Sequence, residues 1–496
     1  MTDRAWLGRG LVCAALLTGC GGSSPAGTGA ATGTGSTGGS SGDAAVTEGC
    51  SDIFAQDQLA AYSFDIAPAQ WAALNTDFMN VGAVLAGTPP STYYPITFHS
   101  GSETVTDAQV RLHGQSSWVD TVQQDTNPKM QFEVSFDQTN PNGSFHGVSK
   151  LVFDMPRSDW TFLSERISDN WLREIGMMAP CANSATLSIN GAYYGVYVTL
   201  ENKGSRLIKE FFPNDPNGDF FSGGVKSEGS NPNPNWQRQM QFWAAMNIDA
   251  LTAIVDLPNS LLMWGAEAVL NDSDGYYGGS HNFYIYDEGA PGYVFLPTDM
   301  DSALAWMSLF TTVGAQQHPI YWWDKPTPQP PGQQYLIVIN DPTARQQYVQ
   351  AIATQLGKWN TAEVQGWISA WSQQIAGAVA MDQHKWATTD QFNMAIAADQ
   401  QEITQRPTYL QSFLDCESGK SPTDADGDGT PWCNDCDDSN PAVHPGAAEV
   451  CGNHIDDNCN GVVDEGCPGE AVSYPGQIDG GPPAPSYLNP DGGVTN

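Results

Sequence analysis

The chain has 496 residues and carries 55 acidic against 19 basic side chains, a formal charge of −36. Nucleic acid is excluded as the partner on that balance, because its binding draws on lysine and arginine to displace counterions. Hydrophobic residues at 40%, with 16 tryptophans, exclude a wholly disordered chain and allow a large core, and the length allows more than one domain.

At the N-terminus, Arg4 and Arg9 precede the apolar run Leu11–Leu17, which is too short to span a bilayer and reads as a signal-peptide core. The run ends in Leu17-Thr18-Gly19-Cys20, which resembles the bacterial lipobox. That resemblance implies a leader over residues 1–19, lipid attachment at Cys20, and a membrane-anchored, extracytoplasmic protein of the bacterial envelope. An ordinary secretory signal with an incidental Cys20 is the alternative. Residues 20–48, rich in Gly, Ser, Thr and Ala, read as a flexible tether. Without Cys13 and Cys20, eight cysteines remain, an even number that suits an oxidising compartment. Six lie in Cys416–Cys467, which leaves Cys50 and Cys181 as a pair for the main domain; spacing alone leaves the connectivity open.

Residues 49–415 have the composition of one large globular unit. Leu59–Ile66 predicts a strand, and Pro68–Leu74 a short helix with proline in its first turn. Thr104–Leu112 alternates as a strand and runs into His113-Gly114-Gln115-Ser116-Ser117-Trp118. Such a small, hydroxyl-bearing turn either offers backbone N–H groups to an anion or simply closes a hairpin. Lys129–Phe136 predicts a strand with Met130, Phe132, Val134 and Phe136 on one face and Lys129 at the mouth of the sheet. Asp159–Gly176 predicts an amphipathic helix closed by glycine. Asn190-Gly191, between Ala185–Ile189 and Tyr194–Leu200, predicts a type I′ hairpin. Helices are expected at Lys203–Phe212, Gln239–Asn247, Asn259–Leu270 and through Pro342–Phe413, with a loop at Asn214–Asn235.

Between those helices lies Leu270–Asp301, with the acidic clusters Asp272/Asp274 and Asp299/Asp301 and, between them, Asn282. Carboxylates and a carboxamide suit Mg²⁺, which takes one or two carboxylates beside phosphate oxygens; aspartates next to glycines also cap turns.

In order and spacing, several segments are similar to the CotH kinase family, named for spore-coat protein H. They are Arg111–Trp118, Pro128-Lys129, Asp159 with Arg166, Ile189–Tyr197, Asp274-Gly275-Tyr276 with His281-Asn282, and Pro297–Asp301. The resemblance implies an α+β, atypical protein-kinase-like fold of two lobes, β-rich then helical. It also implies transfer of the ATP γ-phosphoryl group to protein Ser/Thr with Mg²⁺. By resemblance, Lys129 contacts the phosphates and Asp274 orients the acceptor hydroxyl. Asn282 and Asp299 hold Mg²⁺, with Asp301 assisting and Asp272 a turn residue. Arg111, Gly114, Ser116 and Ser117 cover the phosphates, and the strand ending at Glu201 leads to the adenine. Either Glu165 or Glu201 would pair with Lys129. His113 and Gln115 depart from the family's arginine and asparagine. A pseudokinase serving surface binding or adhesion, and a kinase-like enzyme transferring another group, therefore stay open.

Residues 416–467 form a separate unit by composition. Asp424, Asp426 and Asp428 with Gly429 follow the calcium-loop pattern, and Asp435 falls at position twelve. Asp456, Asn458 and Asn460 offer a second oxygen-rich loop. The segment resembles MopE-type and thrombospondin-type calcium modules, which implies bound Ca²⁺; a small disulfide knot with a solvated acidic surface is the plainer reading. Residues 468–496 are Gly/Pro-rich and expected to be disordered.

Overall fold

The computed structural model describes residues 47–468, except 48, 115, 156, 158, 223–224, 227–230, 232, 280–281, 291, 305–315 and 322–331. The expected leader, Cys20, nearly all of the tether and the tail beyond Pro468 lie outside the described residues. Among the described residues no helix is long and apolar enough to cross a membrane.

Strict alternation builds the first part. Strand β1 (Ala60–Ile66) buries Tyr62, Phe64 and Ile66 and turns Ala61 and Asp65 outward. It pairs antiparallel with β2 (Tyr94–Ser100), and β3 (Glu103–Leu112), β4 (Phe132–Ser135) and β5 (Lys150–Asp154) follow antiparallel. The hairpin β6 (Ala182–Ile189) and β7 (Ala192–Glu201) completes a closed barrel, β7 pairing with β5 and β6 parallel with β1. Closure leaves no sheet edge to be covered. The barrel is filled with aromatic residues such as Phe64, Phe98, Phe132 and Phe153. Asn190 and Gly191 have φ of 50° and 80°, the two left-handed positions a type I′ turn requires. The Cys50–Cys181 disulfide ties the start of the described chain to β6.

In this part three elements differ from the sequence expectation, each because a side chain diverts the backbone; further along, the loop expected at Asn214–Asn235 contains two short strands, Phe220–Ser222 and Val225–Lys226. The strand expected from Lys129 begins only at Phe132, since Lys129 N donates to Thr121 Oγ1 and Met130 N to Tyr194 OH. Ser116 and Ser117 open a helix, Ser116–Gln124, whose Trp118 Nε1 donates to Phe78 O while its ring stacks on Phe78. The helix expected from Asp159 starts at Ser164, because the Asp159 carboxylate accepts from the N–H groups of Thr161, Leu163 and Ser164 and turns the chain in first.

The second part is helical around a small sheet of β8 (Phe220–Ser222), β9 (Val225–Lys226), β10 (Phe283–Asp287) and β11 (Tyr293–Pro297), ordered β11-β10-β8-β9. Helix Leu257–Leu270 is apolar nearly all round and accordingly buried. Gly265 lets helix Pro342–Leu356 approach closely, since a Cβ there would lie 2.9 Å from the Ala351 carbonyl carbon. Helices Thr361–Met381 and Thr389–Glu417 close the bundle.

Disulfides Cys416–Cys433, Cys436–Cys459 and Cys451–Cys467 staple the C-terminal module. Distinct by composition, it nonetheless shares the bundle's core through Cys433, Cys436, Val443 and Cys459. Arg345 pairs with Glu417 at 2.7 Å and donates to Cys433 O, and Asn340 Nδ2 donates to Asn460 O. A segment this short has little core of its own and borrows one.

Candidate active site

Three segments bring four carboxylates together where the barrel meets the helices. Asp154 ends β5, and its Oδ1 accepts from Gln131 Nε2 at 2.7 Å. Glu165 and Asp169 lie one turn apart on helix Ser164–Glu174, hence on one face. Asp299 follows β11 in a left-handed conformation (φ 57°) that turns the chain into Met300–Ser302. One oxygen from each of Asp154, Glu165 and Asp299 lies within 4.8 Å of the others. Glu165 and Asp169 are 1% and 2% exposed, and among the described residues Glu165 Oε2 and Asp169 Oδ2 have no hydrogen-bond partner. Burial raises Asp154 to about 6, helped by Asp299, and raises Asp169 to about 7. Burial and then the charges of Asp154, Asp169 and Asp299 hold Glu165 well above the usual carboxylate range.

The opposite wall carries the acidic loop. Asn282, at φ 48°, donates from Nδ2 to Asp274 Oδ2 at 3.0 Å and to Asp299 O at 3.3 Å, so it links the two aspartates. Asp301 is buried behind Asp299 and raised by burial and then by that neighbour. Asp272 is more than a surface turn residue: it is fully buried, and its Oδ1 accepts from Asp274 N. Helix Thr389–Glu417 supports this loop from below, with Glu402 accepting from Asn271 Nδ2 and Arg406 donating to Ala268 O.

Gly114 lies on the Asp154 side, against Gln131. Its φ is +83°, and a Cβ there would lie 1.6 Å from Gln131 Oε1, so both backbone and space demand glycine. Gln131 in turn holds Asp154 and Met155 O.

The other expected phosphate ligands are placed elsewhere. Lys129 is 0% exposed; its Nζ donates to Asp382 Oδ2 at 2.6 Å and to Val196 O, and it lies 4.3 Å from the Tyr197 ring centroid. Its acidic partner is thus Asp382 and neither Glu165 nor Glu201, which corrects that expectation. Glu201 pairs with Arg206, and Arg111 with Glu133 at 2.7 Å. The lysine at the carboxylate cluster is Lys203, whose Nζ donates to Thr298 Oγ1. Sequence reasoning missed Lys203, Asp154 and Asp169. Asp154 ends an apolar strand and Asp169 sits between Ser168 and Asn170 in a helix, and neither carries a motif.

In the C-terminal module, oxygens of Asp426, Asp428 and Asp435 lie within 4.8 Å of one another, as do those of Asp424, Asp426 and Asp438. Asp435 is 3% exposed and its Oδ2, like those of Asp426 and Asp428, has no hydrogen-bond partner among the described residues. Cys436 and Cys459 lie beside Asp435 but are bonded to each other, so they offer no thiolate. The second loop is arranged differently. Asp456 accepts from Asn460 N and Gly461 N, while Asn458 and Asn460 both donate to Glu465.

Barrel, bundle and buried carboxylates define a mixed α+β domain with a carboxylate cluster that could hold a metal ion. The chain belongs to the CotH kinase family: the model of CotH kinase protein matches residues 110–415, well over half of it. The Cu-binding MopE metal-binding motif matches residues 435–465. No curated protein matches the chain.

Proposed function

We propose that this protein is an atypical, two-lobed protein kinase of the extracytoplasmic bacterial envelope, anchored through Cys20. It transfers the ATP γ-phosphoryl group to Ser or Thr hydroxyls of surface or coat proteins with Mg²⁺. The observation that carries this reading is the buried oxygen of Glu165, unpartnered among the described residues and clustered with Asp154 and Asp299, with a second such oxygen on Asp169 one turn along the helix. Buried carboxylates without partners are costly unless a cation completes them. Asp154, Glu165 and Asp299, with Asn282 and Asp301 beside them, would hold Mg²⁺, which neutralises phosphate charge when bound. Asp274, steadied by Asn282, accepts the proton of the acceptor hydroxyl as its oxygen bonds to the γ-phosphorus and the bond to ADP breaks.

In the C-terminal module, the unpartnered oxygens of Asp426, Asp428 and Asp435 support Ca²⁺. All-oxygen donors favour it over copper, which prefers imidazole and sulfur. Four disulfides fit an oxidising compartment.

A second reading, a non-catalytic surface-binding protein on the same scaffold, draws on the sealing of Lys129 against Asp382. Incorporation of radiolabelled phosphate by the full chain with Mg²⁺ and ATP decides between them, with Asp299→Ala as control. Incorporation that is absent in the wild type, or unchanged in the control, would sink the kinase reading.

A further inference from the structure

We propose that Lys203 is the cation that grips the nucleotide phosphates at this site, the task the sequence pattern gives to Lys129; this rests on the phosphoryl-transfer reading above. Lys203 lies two residues beyond the end of β7, and its ammonium donates to the hydroxyl of Thr298, the residue before Asp299. It lies 5.9 Å from the Tyr284 ring centroid, at the sheet that delivers Asn282 and Asp299. Glu165, Asp169 and Asp299 all act on its charge. A lysine there answers a physical need. Several carboxylates gathered in one place repel a polyphosphate as well as each other, and a divalent ion neutralises only part of that charge.

The two lysines differ in what their charge is committed to. Lys129 has three N–H donors at most, and two are taken by Asp382 and Val196 O while the ammonium sits among the rings of Tyr197, Phe162 and Trp386. Reaching a phosphate would require breaking a buried ion pair. Lys203 is held by a neutral hydroxyl, and among the described residues no carboxylate pairs with it at salt-bridge distance. Its charge is shared by the cluster and can turn to an entering phosphate without abandoning a dedicated partner. The segment between β7 and helix Ser205–Phe211 thereby acquires a phosphate-facing role, in addition to joining the barrel to the helices.

Calorimetric titration of the full chain with MgATP and with adenosine, on wild type, Lys203→Met, Lys203→Arg and Lys129→Met, tests the assignment. Lys203→Met is expected to weaken MgATP binding roughly ten- to a hundredfold, the worth of a charge-assisted hydrogen bond, and to leave adenosine binding alone. Lys203→Arg should recover most of the loss, and folded Lys129→Met should keep near wild-type MgATP affinity. MgATP binding of wild-type strength in Lys203→Met overturns the proposal, as does an equal loss of MgATP and adenosine. Wild type that binds MgATP through Lys203 but incorporates no phosphate supports the phosphate site and removes the kinase reading alone. Wild type that binds no nucleotide removes both.

Discussion

The two acidic regions of this protein gather similar side chains by opposite routes. In the C-terminal module, Asp424, Asp426, Asp428, Asp435 and Asp438 come from one short stretch, shaped by local turns in which Asp424 accepts from Gly427 N and Gly429 N. At the end of the barrel, Asp154, Glu165, Asp169 and Asp299 come from a strand end, a helix and a strand-to-turn junction, and only the assembled core makes them neighbours. The module relies on three disulfides and a borrowed core to hold its loop. The barrel site relies on the barrel and bundle themselves, through Gln131, Asn282 and the support of helix Thr389–Glu417. A contiguous site can be organised by its ion; a dispersed one has to be organised before its ion arrives.

Four perturbations test that contrast. Asp274→Asn should lower phosphate incorporation by roughly two to four orders of magnitude while MgATP still binds in calorimetry, the effect of losing a proton acceptor. Equal loss of binding would mean that Asp274 holds the site together and does not act on the hydroxyl. Lys129→Met strands Asp382 in the interior and should cost about 3–5 kcal/mol in denaturant unfolding, with Lys129→Met/Asp382→Leu recovering part of it. A negligible cost would show that the barrel does not depend on this pair.

The calcium loop offers a smaller lever. With Mg²⁺ in excess, EGTA should lower the melting temperature by several degrees, and Asp435→Asn should abolish both that shift and Ca²⁺ binding while leaving phosphate incorporation intact. Loss of incorporation on removing Ca²⁺ at saturating Mg²⁺ would show that the two regions are coupled. The smallest effect is on pH dependence. Asp154, Asp169 and Glu402 lie near 6, 7 and 7 in the folded protein, above their ordinary values of 3.8, 3.8 and 4.5. The folded state therefore holds protons that the unfolded chain has released. The stability this contributes is full below about pH 4 and is lost as pH rises through 6 to 7. In EDTA the melting temperature should fall by a few degrees between pH 5 and pH 8, and Mg²⁺ should narrow the gap by replacing those protons. A melting temperature that rises over that range would contradict the burial of these groups.

Elements with a local cause were legible. Asn190-Gly191 predicted its hairpin, the alternation of Thr104–Leu112 its strand, and Asn259–Leu270 its helix. The module's aspartates were legible for the same reason, since their spacing is itself the loop. Asp274, Asn282 and Asp299 could be named because motif resemblance stood in for three-dimensional neighbours. Strand β5 and its Asp154 were not legible: five residues of strand in a barrel show no pattern distinct from any apolar run, and the carboxylate at its end resembles any turn aspartate.

The lysines show where sequence stops. By itself it determined that acids outnumber bases, that the cysteines form an even set, and which family the order of segments resembles. Only the tertiary structure decided that Lys129 faces Asp382, some 250 residues away, and that Lys203 stands beside Asp299. Periodicity sets which face a side chain takes within its own element, whereas a buried charge is directed by the counter-charge that packing brings to it.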